Sequence, residues 1–317
     1  LSKSSDCESA RTSVLLLGLG PTALTALESL AKVFTVLGIV RDPDDADPVV
    51  ACATHLGVPV YTETSLAALE ELILQLRPGC TVVSSYNRIL GPRLLDLCPF
   101  VNVHYAPLPR YRGRANVNWA LINRELCTAI TIHRIAPGLD AGNILFQQLV
   151  PIGDTDTVAD LYARLNAIQQ EVLGETVARF LAGYEGEPQR EDEATYGCTR
   201  LPEDGEIDWA APTRQIDALV RALVPPFPGA YTYLQGKRLI LWRACPVANP
   251  PAYVGRVPGR VIGVSKSDGV VDVLTGDGVL RLAEVQLEGK ERVPAAQVIR
   301  SVKETLGLRV SHLLNRI

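Results

Sequence analysis

The chain has 317 residues, of which 47% are hydrophobic and 21% charged, with a formal net charge of −4. That balance fits one large or two ordinary globular domains and excludes a disordered polymer. It holds no run of about eighteen apolar residues, which excludes a transmembrane helix, and its acidity argues against a large polyanion as partner.

In chain order, residues 1–12 read as a polar tail without an apolar signal core, so an export leader is not expected. Residues 13–18, SVLLLG, are an apolar run ending in glycine, followed by LGPTALTALESLAK: a buried strand, a tight turn and a helix. FTVLGIVRD gives a second strand and PVVACATHLG a helix ending at Gly57; VPVYTE is a short strand, and LAALEELILQLRPG a helix closed by Gly79. The apolar runs CTVVSSY, PFVNVHY, TAITIHRIA and ILFQQLVPI read as further strands, with a long amphipathic helix after them. Alternation of this kind predicts a Rossmann-like α/β domain over 13–188, built on a parallel sheet covered on both faces.

The texture changes near residue 185, where EGEPQREDEATYGCTRLPEDGEIDW is charged and aperiodic, so 189–210 read as a surface linker. A short helix and several short strands with turn residues between them then predict a mostly β domain over 211–317, a small OB-like β-barrel. Seven cysteines are scattered without CxxC or a His/Cys cluster, which predicts free thiols in a reducing cytoplasm and neither a disulfide frame nor a metal site.

Several motifs could carry chemistry. Gly18 and Gly20 in GLGPTA follow a strand as in a dinucleotide fingerprint, but the third glycine is Ala23; the alternative is a packing turn. Asn102 and His104 lie on one side of a strand and near its C-terminal end, where open α/β sheets place their sites. An Asn amide can donate to an oxyanion, and an imidazole can exchange a proton near neutral pH. The bland alternative is a core histidine and a strand-end cap. Asp140, framed by glycines in PGLDAG, is either a turn former or the carboxylate that orients His104. Arg110, Arg112 and Arg114 sit in a Pro/Gly loop, either a solvated turn or a mobile loop whose guanidinium groups meet a carboxylate or phosphate. Trp119 and His133 read as structural, and His55 and His312 carry no functional signal.

Taken together, SVLLLGLGPTALTALESL, VVSSYNRIL, VNVHYAPLPRYRGRANVNWALIN, TAITIHRIAPGLDAGNIL, EDGEIDW and LVPPFPGAYTYL resemble the folate-dependent N-formyltransferases. The resemblance covers most of the chain, and its specific part is Asn-x-His with a downstream Gly-Leu-Asp-x-Gly. It implies transfer of the formyl group of N10-formyltetrahydrofolate to an amine, with Asn102, His104 and Asp140 in the catalytic positions. It also implies a pterin site against the backbone of Tyr86, Asn87, Arg88, Ile89 and Leu90, with Pro137, Gly138 and Leu139 opposite. In that company the Gly18/Gly20 turn is better read as packing.

Within the family, YRGRANVNW and the EDGEIDW region look most like the sugar-directed branch. The expected acceptor is therefore a small-molecule amine, an amino sugar, contacted by Tyr105, Arg112, Arg114 and Tyr231. HYAPLP and ANVNW depart from the family's usual pattern beside the site, which bears on specificity. The alternatives are a methionyl-tRNA acceptor, hydrolysis of the formyl folate, and, from another class, a nucleotide-binding oxidoreductase using GLGPTA. A cytoplasmic protein without a membrane partner is expected, and a homodimer is compatible with the sequence.

Overall fold

The computed structural model describes residues 12–44 and 46–308; the polar tail up to residue 11 and His312 lie outside them. The described residues form two compact units, one of residues 12–113, 128–150 and 163–197, the other of 114–127, 151–162 and 198–308. The division does not follow the chain linearly: the first part of the expected linker, up to Gly197, belongs to the first unit.

The first unit begins with β1 (Ser13–Gly18), α1 (Gly20–Ala31), β2 (Thr35–Val40), α2 (Pro48–Leu56), β3 (Val60–Tyr61), α3 (Leu66–Leu76), β4 (Cys80–Ser84), α4 (Pro92–Leu95) and β5 (Phe100–His104). β1 and β4 are almost wholly buried, as continuous apolar runs become when helices cover both faces of a sheet. Ser65 caps α3 through its side chain and Asp47 caps α2, so polar residues at the loop ends set where those helices start. One core cluster contains Leu15, Leu17, Val40, Leu69, Ile73, Val83, Leu94 and Phe100. Each such side chain contributes roughly 1.5–3 kcal/mol by leaving water.

The unit continues through β6 (Arg112–Gly113); after α5 (Asn116–Ile122), which belongs to the second unit, come β7 (Cys127–Arg134), β8 (Ile144–Pro151), the long α6 (Val158–Leu181), which falls in this unit from residue 163 on, and β9 (Tyr196–Gly197). The sheet order is β3-β2-β1-β4-β5-β7-β8. Strands β3 to β5 pair in parallel as expected, but β7 pairs antiparallel to β5. A buried apolar run reads the same in either direction, so periodicity carries no information on strand polarity.

The second unit holds α5, α7 (Thr213–Ala222) and the strands β10 (Ala230–Leu234), β11 (Lys237–Pro246), β12 (Val261–Ser265), β13 (Val270–Leu274), β14 (Val279–Leu287) and β15 (Arg292–Pro294), with α8 (Ala295–Val298). The strands form one six-stranded antiparallel sheet, ordered β10-β11-β14-β13-β12 with β15 on β14. The pairing runs as a path from β10 to β12; the short strands and turns expected of a barrel are present as this sheet.

Candidate active site

Strand β5 delivers Asn102 and His104 to the C-terminal end of the parallel part of the sheet, with Val83 of β4 beside Asn102. On the other side, the antiparallel register sets His133 directly opposite Asn102 and Thr131 opposite His104. The loop after β7 returns Asp140 to the same place. Asn102 Nδ2 lies 3.5 Å from Asp140 Oδ1, and His104 Nδ1 lies 3.6 Å from Asp140 Oδ2. His133 Nε2 is 3.1 Å from Asn102 Nδ2 and 3.6 Å from Asp140 Oδ1. The two imidazoles stand edge to face, with centroids 6.2 Å apart. One carboxylate therefore serves three polar side chains, all held on strands or an adjoining turn.

Backbone carbonyls fix the proton positions, because a carbonyl can only accept. His133 Nδ1 donates to the Arg134 carbonyl at 2.9 Å, so in the neutral ring Nε2 is the acceptor of an Asn102 N–H. His104 Nε2 donates to the Tyr111 carbonyl at 2.8 Å, so neutral His104 presents its lone pair at Nδ1, towards Asp140. Burial lowers the His104 pKa from its ordinary value, against the opposing pull of the Asp140 charge; His133 lowers it further and the Tyr111 carbonyl raises it. Burial works to raise the Asp140 pKa. When the two rings carry a proton on the nitrogens facing it, the His133 hydrogen bond and the His104 charge, with the Gly113 N–H at 2.8 Å, outweigh that and hold it at about 2. Near neutral pH the pair is a neutral imidazole facing an ionised carboxylate, which is poised to accept a proton on Nδ1 and stabilise the cation.

The tripeptide Tyr111–Arg112–Gly113 closes the site. Its two ends face inward, the Tyr111 carbonyl to His104 and the Gly113 N–H to Asp140. Gly113 has φ +98, and a Cβ there would lie 2.8 Å from the Gly197 carbonyl across the β6–β9 pair, so only glycine fits. Tyr111 and Asp140 are themselves left-handed, with φ of 60 and 49. Such geometry costs on the order of 1 kcal/mol for each non-glycine residue and persists only where neighbours hold it.

The remaining expected site residues fall into three groups. Residues 86–90 and 137–139 form the loops after β4 and β7, both in the first unit, and Ile89 and Leu139 are 84% and 53% exposed. Tyr105, expected at the acceptor, is buried, and its hydroxyl is shared between Asn166 Oδ1 at 2.7 Å and Gln169 Oε1 at 3.1 Å. Arg112 is only 2% exposed; its guanidinium meets Glu191 at 2.6 and 2.9 Å and Gln189 at 2.8 Å, so it is a buried tie and not a mobile loop cation. Arg114 is exposed. Tyr231 is buried on β10 in the second unit, with Arg238 stacked on its ring at 3.7 Å. Reading from the sequence missed His133, although the period of two that pairs Asn102 with His104 also sets His133 and Thr131 on one face of β7.

The GLGPTA turn has a structural occupation. A Cβ on Gly18 would lie 2.0 Å from the Ser84 carbonyl, so glycine is what lets β1 and β4 approach. The Gly20 N–H, at the start of α1 where a pyrophosphate would sit, instead donates to Asp47 Oδ2 at 2.7 Å. Asp47 is in turn paired with buried Arg41 at 3.0 Å. A carboxylate of the protein itself occupies that helix start, which fits a packing turn.

Comparison with known proteins adds the following. Residues 34–177 match the family model described as formyl transferase, and residues 201–303 that of the formyl transferase C-terminal domain. Methionyl-tRNA formyltransferase of Geobacter metallireducens is 35% identical over 293 residues, 87% of this chain and 91% of its own length. That of Citrifermentans bemidjiense is 34% identical, covering 89% and 90%. Among solved structures, HypX from Aquifex aeolicus with tetrahydrofolic acid aligns with a TM-score of 0.67 at 18% identity, over 92% of this chain and 47% of that one. The sugar 3N-formyl transferase WlaRD, with dTDP and 5-N-formyl-THF, aligns with a TM-score of 0.63 at 16% identity, over 89% and 99%. At these identities the structures speak to the fold alone.

Proposed function

This chain belongs to the formyl transferase family, and on that premise we propose that it moves the formyl group of N10-formyltetrahydrofolate onto a primary amine. The observation that carries the reading is the single ionised Asp140 shared by His104 and Asn102 at the end of the parallel strands. A neutral amine attacks the formyl carbon, and the new C–N bond leaves negative charge on the former carbonyl oxygen. Asn102 supplies an N–H for that oxyanion: one of its hydrogens faces His133, while the other reaches Asp140 only at 3.5 Å and is the one available. His104 takes the proton shed by the attacking amine on Nδ1, and Asp140 stabilises the imidazolium. Breaking the bond to the folate N10 then returns that proton to the leaving nitrogen. Residues 86–90 and 137–139 are the loops that would hold the pterin by their backbones. A folate donor is consistent with the folates named for the two solved neighbours.

For the acceptor, we put the amine of methionyl-tRNA first. The two relatives named above, at 34–35% identity, carry that name and are matched over about nine-tenths of their length. The net charge of −4 also averages over unlike halves: residues 201–317 carry 15 Arg and Lys against 12 Asp and Glu, the preceding 200 carry 16 against 23. A basic second half suits a polyanionic acceptor. The amino sugar expected from YRGRANVNW is the second reading, favoured by the departures at HYAPLP and ANVNW. The test is to incubate the protein with N10-formyltetrahydrofolate and either methionyl-tRNA or nucleotide-linked amino sugars, following tetrahydrofolate and the formylated product. Product from only one acceptor class selects that reading. Tetrahydrofolate formed without an acceptor selects hydrolysis, and no folate turnover with any acceptor sinks the assignment.

A further inference from the structure

The segment read from sequence as a surface linker reaches back to the candidate site. Gln189 Nε2 donates to two backbone carbonyls of the catalytic loop, those of Asp140 and Gly142, each at 2.7 Å. Its Oε1 accepts from Arg112 NH2 at 2.8 Å and Nε at 3.3 Å, and the remaining face of the guanidinium pairs with Glu191. Arg112 sits between Tyr111, whose carbonyl receives His104, and Gly113, whose N–H holds the Asp140 carboxylate. The contacts form a closed circuit: His104 to residue 111, residue 113 to the Asp140 side chain, and the Asp140 backbone through Gln189 back to residue 112. Asp140 is left-handed without being glycine, so something outside its own turn must hold it, and Gln189 grips the chain at Asp140 itself and two residues beyond.

We infer that Gln189, fastened by Arg112, is a positioning residue that sets the Asp140 carboxylate against His104. Neither side chain touches the reacting atoms; both act through the loop they clamp. The inference rests on the reading of Asp140 given under the proposed function, yet it concerns geometry that exists without substrate. It also reassigns Arg112, whose buried guanidinium is occupied within the protein, from substrate capture to this clamp.

The experiment uses the full chain with Gln189→Met, which removes donor and acceptor at similar volume, and Gln189→Glu, which keeps an acceptor for Arg112 but loses both N–H donors. Asp140→Asn is the reference. Two quantities are read: formyl-transfer kinetics, and the titration midpoint of the His104 ring by NMR, in a chain with four histidines. Both Gln189 variants are expected to lose about 100-fold in kcat, the scale of a misplaced catalytic group, with KM for the formyl donor within about threefold of wild type. The His104 midpoint in Gln189→Met should fall in the same direction as in Asp140→Asn, because the opposing charge has drifted away. Wild-type kcat in Gln189→Glu would mean that the glutamine merely anchors Arg112, and would overturn the inference. So would an unmoved His104 midpoint in Gln189→Met while Asp140→Asn shifts it. A wild-type protein that transfers no formyl group defeats the functional reading instead, and the midpoint then decides the positioning role by itself.

Discussion

His104 and Tyr105 are neighbours at the end of β5, and they enter two polar clusters of opposite character. Around Tyr105, Gln169 is fully buried and its amide is saturated. Its Oε1 accepts from Ser84 at 3.2 Å and lies 3.1 Å from the Tyr105 hydroxyl, and its Nε2 donates to the Thr22 carbonyl at 2.6 Å and Thr25 at 3.0 Å. Every group is neutral. Around His104 the groups are ionisable, the contacts to Asp140 stretch to 3.5 and 3.6 Å, and the backbone at Tyr111 and Asp140 is left-handed. A saturated neutral network rigidifies the fold and has no donor left for a ligand. A stretched, charged one keeps its capacity for a reacting molecule and depends on outside ties to hold its shape.

Changing the two clusters should therefore give separable outcomes. The largest effect is expected at the stretched one: His104→Ala and Asp140→Asn should each reduce turnover by about 100- to 10,000-fold, the range for losing a positioned acid–base group. Donor binding, read by folate fluorescence titration, should persist in both. Turnover near wild type in either variant would remove the chemistry from this cluster.

Acid should act on the same cluster. Asp140 is held at about 2, below the unfolded carboxylate, so its contribution to stability is complete above roughly pH 4 and is lost as pH falls through 2. A shift of that size corresponds to about 2 kcal/mol. His104 is lowered, so below roughly pH 6.5 the unfolded chain takes its proton first and stability falls in the same direction. Urea unfolding from pH 7 to pH 3 should show a steady loss that Asp140→Asn diminishes. In the kinetics, the acid limb of kcat/KM should lie below the ordinary histidine value. An acid limb above it would mean that His104 is not the group being titrated.

The same contrast explains what could be read from the sequence. Asn102, His104 and Asp140 were legible because strand alternation and a Gly-framed aspartate are local patterns, and the alternation of strands and helices gave the layered fold. His133 was not, because its place depends on β7 running antiparallel to β5, which apolar content does not encode. The roles of Arg112 and Gln189 were not, because a loop arginine and a charged stretch 77 residues later reveal nothing of their pairing until both are folded. Tyr105, which the resemblance puts at the acceptor, lies just past β5 with its hydroxyl against Asn166 and Gln169, 61 and 64 residues on, a pairing that no local pattern encodes.

Smaller effects belong to the saturated cluster. Gln169→Leu strips the Thr22 carbonyl and the Thr25 hydroxyl of their amide donor and Ser84 of its nearer partner, and should destabilise by about 1–3 kcal/mol. Thermal unfolding measures this, and the kcat of the surviving folded protein should stay within about threefold of wild type. A loss of kcat as large as that of Asp140→Asn would show that the two clusters are coupled.

Tyr105→Phe is the mildest change and the most discriminating. It removes one hydroxyl whose hydrogen is directed to Asn166 Oδ1 at 2.7 Å, while the ring keeps its buried place. The expected loss is about 1 kcal/mol of stability, the net worth of one internal hydrogen bond. The phenol belongs to the packing network and has no free hydrogen for an acceptor, so KM for either class of amine should remain within about twofold. A stable Tyr105→Phe protein with a raised acceptor KM would reverse the assignment. The hydroxyl would then have to leave Asn166 on binding, and the boundary between the two clusters would run through Tyr105 instead of between it and His104.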